Sequence, residues 1–246
     1  MTPEPGRLAL VTGASRGIGL ATAERLASEG WRVIAADRDR TELDAQVDRW
    51  RERSYAIIPE AVDVTDRAAV AALMERHPPL QLVVNNAGIS GPVRPVGGIE
   101  PDAFLDVLRV NVLGVFIVSQ EAVKRMDKGG AIVNITSSAH LVAPNVIHYG
   151  MTKGAVVGLT RSMALDYHRR GISVNAVGPG AIDTQMQNTL TDEHRARLAA
   201  HLPNGKPLDP EVIAAAICYF ASAEGRSAHG QNLIVDAGLV LGIGGW

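Results

Sequence analysis

Short apolar runs alternate along this chain with amphipathic stretches of helical period. Leu8 to Val11, Trp31 to Ala36, Tyr55 to Ile58, Gln81 to Asn85, Ala131 to Ile135, Ile172 to Val177 and Asn232 to Val235 each read as a strand. Between them, Ile18 to Ser28, Thr41 to Arg51, Arg67 to Arg76, Pro101 to Met126, HYGMTKGAVVGLTRSMALDY and Pro210 to Ser222 read as helices. Runs such as VIAA, LVV and AIVNI are apolar without alternation, as parallel strands covered on both faces require. Strand–helix alternation at this spacing predicts a single-domain, Rossmann-like, doubly wound α/β fold. Its parallel sheet should have about seven strands, helices on both faces and right-handed crossovers.

Residues 184–208 break the rhythm with the polar run TQMQNTLTDEHR and end in LPNGKPLDP. A long excursion between a strand and the next core helix reads as a binding loop or lid, or as a solvated surface helix. With no internal repeat, linker or low-complexity tract, residues 1–246 read as one domain carrying 184–208 as a substrate-loop excursion.

Composition narrows the class. The 246 residues, 46% hydrophobic and 20% charged, suit a soluble globular domain with a large core. A net charge of −2 implies no basic surface for nucleic acid. No apolar run approaches the roughly 18 residues of a membrane span. The start, MTPEPGRLALVTG, is no signal peptide. Cys218 is the only cysteine, so no internal disulfide can form and a reducing cytoplasm is expected. Its surroundings, VIAAAICYFA, read as buried. His194 and His201 could share a helical face, but the histidines lie in no cluster of metal-ligand spacing, and no metal is assigned.

The first strand runs into TGASRGIG, which opens a helix. Gly13, Gly17 and Gly19 allow a tight turn and close backbone approach, and a helix N-terminus offers free N–H groups to a pyrophosphate. The Gly-Lys-Ser/Thr of a nucleoside triphosphate loop is missing. Asp37 closes the second strand, where a carboxylate can bind adenosine ribose hydroxyls and repel a 2′-phosphate, or can be a turn residue of DRDR. Tyr149 and Lys153 stand four apart on a helix and share a face. An ammonium beside a phenol lowers the phenol's pKa, which would make Tyr149 a general acid/base.

Taken in order, these motifs resemble the short-chain dehydrogenase/reductase family over nearly the whole chain. TGASRGIG, with Ser15, Arg16 and Ile18 among its glycines, matches the family's cofactor loop. AVDVTD places Asp63 and Val64 at the adenine, and NNAG brings Asn86, Ala87 and Gly88. VNVLG supplies Asn111, NITSS the serine, Tyr149 and Lys153 the Tyr-x-x-x-Lys pair. GPGAIDT brings Pro179, Gly180, Ile182 and Thr184 to the nicotinamide.

The resemblance implies hydride transfer between a nicotinamide and a carbonyl or carbinol carbon. Tyr149 would exchange the substrate proton. Lys153 would tune Tyr149 and hold the nicotinamide ribose, and Asn111 would hold a water on Lys153 or merely satisfy backbone groups at a helix irregularity. The family's serine usually stands one residue farther from the tyrosine than Ser137 does. A one-residue deletion in the loop makes Ser137 the expected hydroxyl, ahead of Ser138 and Thr136.

The expected cofactor is NAD, with NADP less favoured although Arg16 and Arg38 flank Asp37. The expected substrate is a small polar alcohol or ketone, touched by Ser137, Ser138, His140, Tyr149 and Gln185. The loops after the fourth, fifth and sixth strands offer Ser90, Arg94, Asn145, His148, Gln187 and Asn188 and no aromatic residue. An NADPH-dependent 3-oxoacyl thioester reductase, with Arg94, Arg195 and Arg197 meeting a phosphorylated carrier arm, is the alternative. A dinucleotide-sensing binding protein is the non-enzymatic one. The resemblance also implies a homotetramer paired through its long helices.

Overall fold

The computed structural model describes residues 7–126, 129–184, 199–200, 202 and 205–241. Its strands are β1 (Leu8–Thr12), β2 (Arg32–Asp37), β3 (Ile57–Ala61), β4 (Leu82–Asn85), β5 (Gly130–Ile135), β6 (Ile172–Pro179) and β7 (Asn232–Val235). They form one parallel sheet in the order β3-β2-β1-β4-β5-β6-β7. The order reverses between β1 and β4, and beyond the carboxyl ends of strands at such a reversal a crevice opens for ligands.

The helices are α1 (Gly17–Ser28), α2 (Arg40–Glu52), α3 (Arg67–Arg76), α4 (Pro101–Leu108), α5 (Val115–Val123), α6 (Ile147–Tyr167) and α7 (Pro210–Ala221). Side-chain caps start two of them. Asp39 accepts the Glu42 N–H at 3.1 Å, and Asp66 accepts the Ala69 N–H at 3.0 Å.

The central strands are apolar on both faces, yet successive residues serve different cores. Ala9, Val11, Val33 and Val133 pack under α1, α2 and α7 with Leu26, Trp50, Ile213 and Ile217. Leu8, Leu10, Ile34 and Ile132 pack on the other side with Leu73, Ile117, Val118 and Met163. Burial of each such large side chain stabilises by about 1.5–3 kcal/mol. A polar ladder interrupts the second core. Asn85 and Asn134 are register partners on β4 and β5. The Asn85 amide donates to Asn134 Oδ1 at 2.8 Å and to Ser119 Oγ at 2.9 Å, and the Asn134 amide donates to Thr160 Oγ1 at 2.9 Å. The ladder pins α5 and α6 to the strand ends that carry the site.

Two elements depart from the sequence reading. The third strand is shifted to Ile57–Ala61 because Tyr55 is drawn into the turn after α2, its N–H donating to Trp50 O at 2.9 Å. Pro59 lies within that strand, which its place at the sheet edge permits. The long helix from Pro101 is also not uniform. A π-helical turn, Arg109–Gly114, separates α4 from α5, and the helix ends before Met126. Among the described residues no helix is long and apolar enough to cross a membrane.

Candidate active site

The crevice at the reversal is a cavity of about 350 Å³, running over the carboxyl ends of β1, β2, β4, β5 and β6. Its floor at one end is the turn after β1. Gly13 has φ +65°, and a Cβ there would lie 2.9 Å from both Ala87 Cα and Asn86 Nδ2. Gly17, at φ +55°, faces Thr184, whose Cγ2 would lie 3.1 Å from a Cβ. Only bare backbone fits at either position. Gly19 faces the packing instead: a Cβ there would lie 2.0 Å from Gly13 O.

Asn86 locks this turn to β4. Its side-chain amide donates to Thr12 O at 2.9 Å and Gly13 O at 3.0 Å, while Thr12 Oγ1 accepts the N–H groups of Asn86 and Ala87. The lock was not foreseen from the sequence, although Thr12 at the strand end followed by glycine is its signal.

Asp37 lines the far end of the cavity with Arg16, Arg38, Asp63 and Val64. One carboxylate oxygen accepts both the N–H and the hydroxyl of Ser15, at 3.2 and 2.7 Å, and the other accepts the Asp39 N–H at 3.1 Å. Ser15 thus sits behind Asp37, not in the cavity wall, and aims its carboxylate. Ile18, Ala87, Gly88, Pro179, Gly180, Ile182 and Thr184 complete the lining of this half.

The other end gathers Tyr149, Lys153 and Ser137. Ser137 Oγ accepts the Ala139 N–H at 3.1 Å, donates to Pro179 O at 3.4 Å and lies close enough to the Tyr149 phenol to lower its pKa. Thr136 lines the cavity but turns its hydroxyl away, donating to Asn232 Oδ1 at 2.7 Å, and Ser138 lies outside the lining. Of the three hydroxyls in NITSS, Ser137 is the one that meets the phenol. Gly150 permits this approach: a Cβ there would stand 2.6 Å from Ala139 O.

Lys153 Nζ donates to Ile135 O at 2.8 Å and stands 5.6 Å from the Tyr149 ring centre. The electrostatics differ from the sequence expectation. Burial raises the Tyr149 phenol, against a lowering by Ser137, and burial lowers the Lys153 ammonium to about 8. In the cofactor-free protein desolvation outweighs the attraction between the pair, so both groups are pushed toward their neutral forms.

Asn111 lies in the π-helical turn, fully buried. Its Oδ1 accepts the Ile89 N–H at 2.9 Å, and its amide donates to Ile89 O at 2.9 Å and Thr152 Oγ1 at 3.1 Å. It therefore braces the backbone that follows NNAG. It also stays near the lysine, since a Cβ on Gly88 would lie 3.1 Å from Asn111 Oδ1 and 3.6 Å from Lys153 Nζ.

Among the described residues, few of the polar side chains expected to line a substrate wall do so. The described wall beyond Tyr149 is Ile89, Ser90, Val93, Val110 and Val146. His140 does not line it: one ring nitrogen bonds to Ser137 O and the other faces Asn232. His148 is buried behind the wall, its Nε2 2.5 Å from where a Gly91 Cβ would stand. Burial lowers the His148 imidazole, against a smaller raising by the Ser90 backbone, and neither ring nitrogen makes a full hydrogen bond among the described residues. Arg94 and Asn145 also lie outside the lining. Gln185, Gln187, Asn188, His194, Arg195, Arg197 and His201 fall outside the described residues.

Residues 13–240 match the family model described as enoyl-(acyl carrier protein) reductase. The chain is 35% identical over 243 residues to a 3-oxoacyl-[acyl-carrier-protein] reductase of Thermotoga maritima, covering 96% of this chain and 98% of that one. It is 37% identical over 239 residues to a cis-4-hydroxycyclohexanecarboxylate dehydrogenase of Sinomonas cyclohexanicum, covering 94% and 96%. Among solved structures, a variant of actinorhodin polyketide ketoreductase with NADPH superposes with a TM-score of 0.90 at 32% identity, covering 97% and 99%.

Proposed function

The chain belongs to the short-chain dehydrogenase/reductase family, and on that premise we propose that it transfers a hydride between NAD(H) and a small secondary alcohol or ketone, with Tyr149 as the general acid/base. The observation that carries this reading is one cavity with Asp37 at one end and the Tyr149, Ser137 and Lys153 side chains at the other. The bare glycine floor and the length of the crevice fit a dinucleotide. When bound, the dinucleotide supplies or accepts the hydride at its nicotinamide ring.

The chain's own residues handle the proton. Burial keeps the Tyr149 phenol protonated, the form that donates to a carbonyl oxygen during reduction. Ser137 Oγ accepts a backbone N–H and donates only over a long 3.4 Å to Pro179 O, so its proton can turn to the same substrate oxygen as charge develops there. Lys153 is held in reach of both by Ile135 O, where any charge on it favours phenolate in the oxidative direction. Asn111 keeps the Ile89 backbone, and with it the substrate wall, in place.

Asp37 favours NAD: its aimed carboxylate repels a 2′-phosphate and accepts hydrogen bonds from ribose hydroxyls. The substrate is small, with its polar contacts at the reacting end and an apolar body against Val93, Val110 and Val146. Any further polar contact comes from Gln185, Gln187 or Asn188 in residues 184–208, which we retain as a substrate-loop excursion of a single domain.

A second reading is an NADPH-dependent 3-oxoacyl thioester reductase. It is favoured by the 35% identical relative and by Arg94, exposed next to Val93 of the cavity wall. Following reduced-nicotinamide absorbance with NAD and NADP over polyols, hydroxy acids, alicyclic alcohols, steroids and acyl thioesters separates the readings. Turnover with none of them, beside tight dinucleotide binding, would instead leave a binding protein.

The chain pairs with copies of itself, we infer, as a homotetramer. Leu105, Leu108, Leu113 and Phe116 on the α4–α5 helix and Met151 and Leu165 on α6 are all at least one-third exposed. α4 and the π-helical turn pack against α6, and exposed apolar side chains on such helices suit a second cover. A stable monomer by light scattering at micromolar concentration would refute this. A reducing, cytoplasmic setting completes the proposal, with Cys218 buried.

A further inference from the structure

We propose that His140 is a positioning residue for Ser137, acting through a hydrogen-bonded chain that ties the serine turn to β7. The proposal rests on the reading of Ser137 as the donor to the substrate oxygen. Ser137 begins a short 3-10 turn, Ser138–His140. Its carbonyl accepts twice from His140, from the backbone N–H at 3.2 Å and from ring Nδ1. Both lone pairs of that carbonyl are then used, which fixes the peptide plane immediately after Ser137.

The other ring nitrogen carries the tie outward. A carbonyl can only accept, so Nδ1 bears the proton and neutral Nε2 is an acceptor. The Asn232 amide faces it at 3.4 Å and is the donor. Asn232 Oδ1 in turn accepts from Thr136 Oγ1 at 2.7 Å, next to Ser137 itself. A loop of contacts thus closes from Ser137 through His140 and Asn232 of β7 back to Thr136 at the end of β5. On the opposite side, Ala139 O is pressed against Gly150 of α6. The Ser137 turn is held between α6 and β7, and His140 bonds to both the turn and the far strand.

Neither ring nitrogen faces the cavity, and His140 is outside its lining, so His140 does not touch substrate. Its effect belongs to the rate of proton donation, not to binding of either ligand. Kinetics of His140→Leu, His140→Asn, Ser137→Ala and the double variant His140→Leu/Ser137→Ala, on the best substrate of the panel, test this. His140→Leu should lower kcat by about tenfold or more while the KM for cofactor stays within about twofold, as misplacing a preorganised donor predicts. His140→Asn keeps an amide N–H in reach of Ser137 O but gives up the contact to Asn232, and should recover only part of the rate. In the Ser137→Ala background, adding His140→Leu should cost nothing further.

A wild-type rate in His140→Leu overturns the proposal. So does a loss that multiplies in the double variant, and so does a loss that His140→Asn fails to restore even in part. Thermal melting of each variant accompanies the kinetics; if kcat falls only in step with the folded fraction, His140 is merely structural and the proposal fails. If Ser137→Ala itself turns over like wild type, it is the underlying reading of Ser137 that falls.

Discussion

The two halves of the cavity are built differently. The half proposed to take the dinucleotide is made of strand ends and bare backbone: Gly13, Gly17, the Asp37 carboxylate and the turn after β4. Sheet register fixes each of these, and a second residue holds it, as Ser15 holds Asp37 and Asn86 holds Gly13. The half proposed to take the substrate is made of loops after β4 and β5, and its side chains choose their directions by tertiary hydrogen bonds. His140 turns to β7, and His148 buries itself behind Gly91. A register-fixed wall can be read from sequence, whereas a loop wall shows only which residue types are present.

The sharpest way to separate the halves is Tyr149→Phe. Turnover should fall by roughly 10²–10⁴-fold or more, with dinucleotide affinity by fluorescence nearly unchanged, because the ring stays and only the proton-carrying hydroxyl leaves. Wild-type turnover in this variant would refute the proposed chemistry. Equal loss of affinity would show that the halves are not separable.

Asp37→Ala attacks the other half. The NAD over NADP preference in kcat/KM should narrow by about 1–3 kcal/mol, the worth of hydrogen bonds to a charged group. Comparable kcat/KM for the two cofactors in wild-type protein would defeat the prediction before any mutation is made.

Gly91→Ala probes the loop wall. The residue stands at φ +69°, and a Cβ would meet His148 and Val107 at 2.5 and 2.7 Å. Left-handed strain alone costs about 1–2 kcal/mol, so melting should drop, and substrate KM should rise more than cofactor KM. Gly97→Ala, where a Cβ meets nothing within 4 Å, is the control and should change neither. An equal effect at both sites would mean that the wall is not braced by His148.

The last test is a pH slope. Burial holds folded Lys153 at about 8, below its ordinary value of 10.5. The cost of desolvating the ammonium is therefore present in full below pH 8. Between about 8 and 10.5 the folded protein has released a proton that the unfolded chain still holds. Stability of wild type relative to Lys153→Met should rise with pH across that window, by at most about 1.4 kcal/mol per pH unit. Chemical denaturation of the cofactor-free proteins measures it, and a falling difference would contradict the assigned environment of Lys153.

Legibility in the sequence followed the same division. Apolar runs located the strands because both sheet faces are covered, and β7 lies at Asn232–Val235 as read. The third strand was misplaced because Tyr55 reads as a β-former while the turn after α2 claims its N–H. Pro59 falls inside the strand, which an edge position with only one set of hydrogen bonds allows. The Asn85–Asn134–Thr160 ladder was invisible, since three polar residues far apart in sequence reveal nothing until the strands are in register. In NITSS the spacing argument left three hydroxyls open, and only the direction of each side chain separates them.

The π-helical turn at Arg109–Gly114 acts as a phase shifter. It places an extra residue in one turn, and each residue of a helix turns its successor by about 100°. Deleting one residue there would let α4 and α5 join as a regular helix with a full hydrogen-bond ladder. The whole of α5 would then be rotated, carrying Ile117, Val118 and Ala122 off the sheet, and Asn111 could not keep its bonds to Ile89. Restoring Asn111 by rotation would misplace the core instead. The aim of one side chain at the crevice and the seating of a core helix are thus set by a single inserted residue, and neither can be retuned alone by changing the length of this helix.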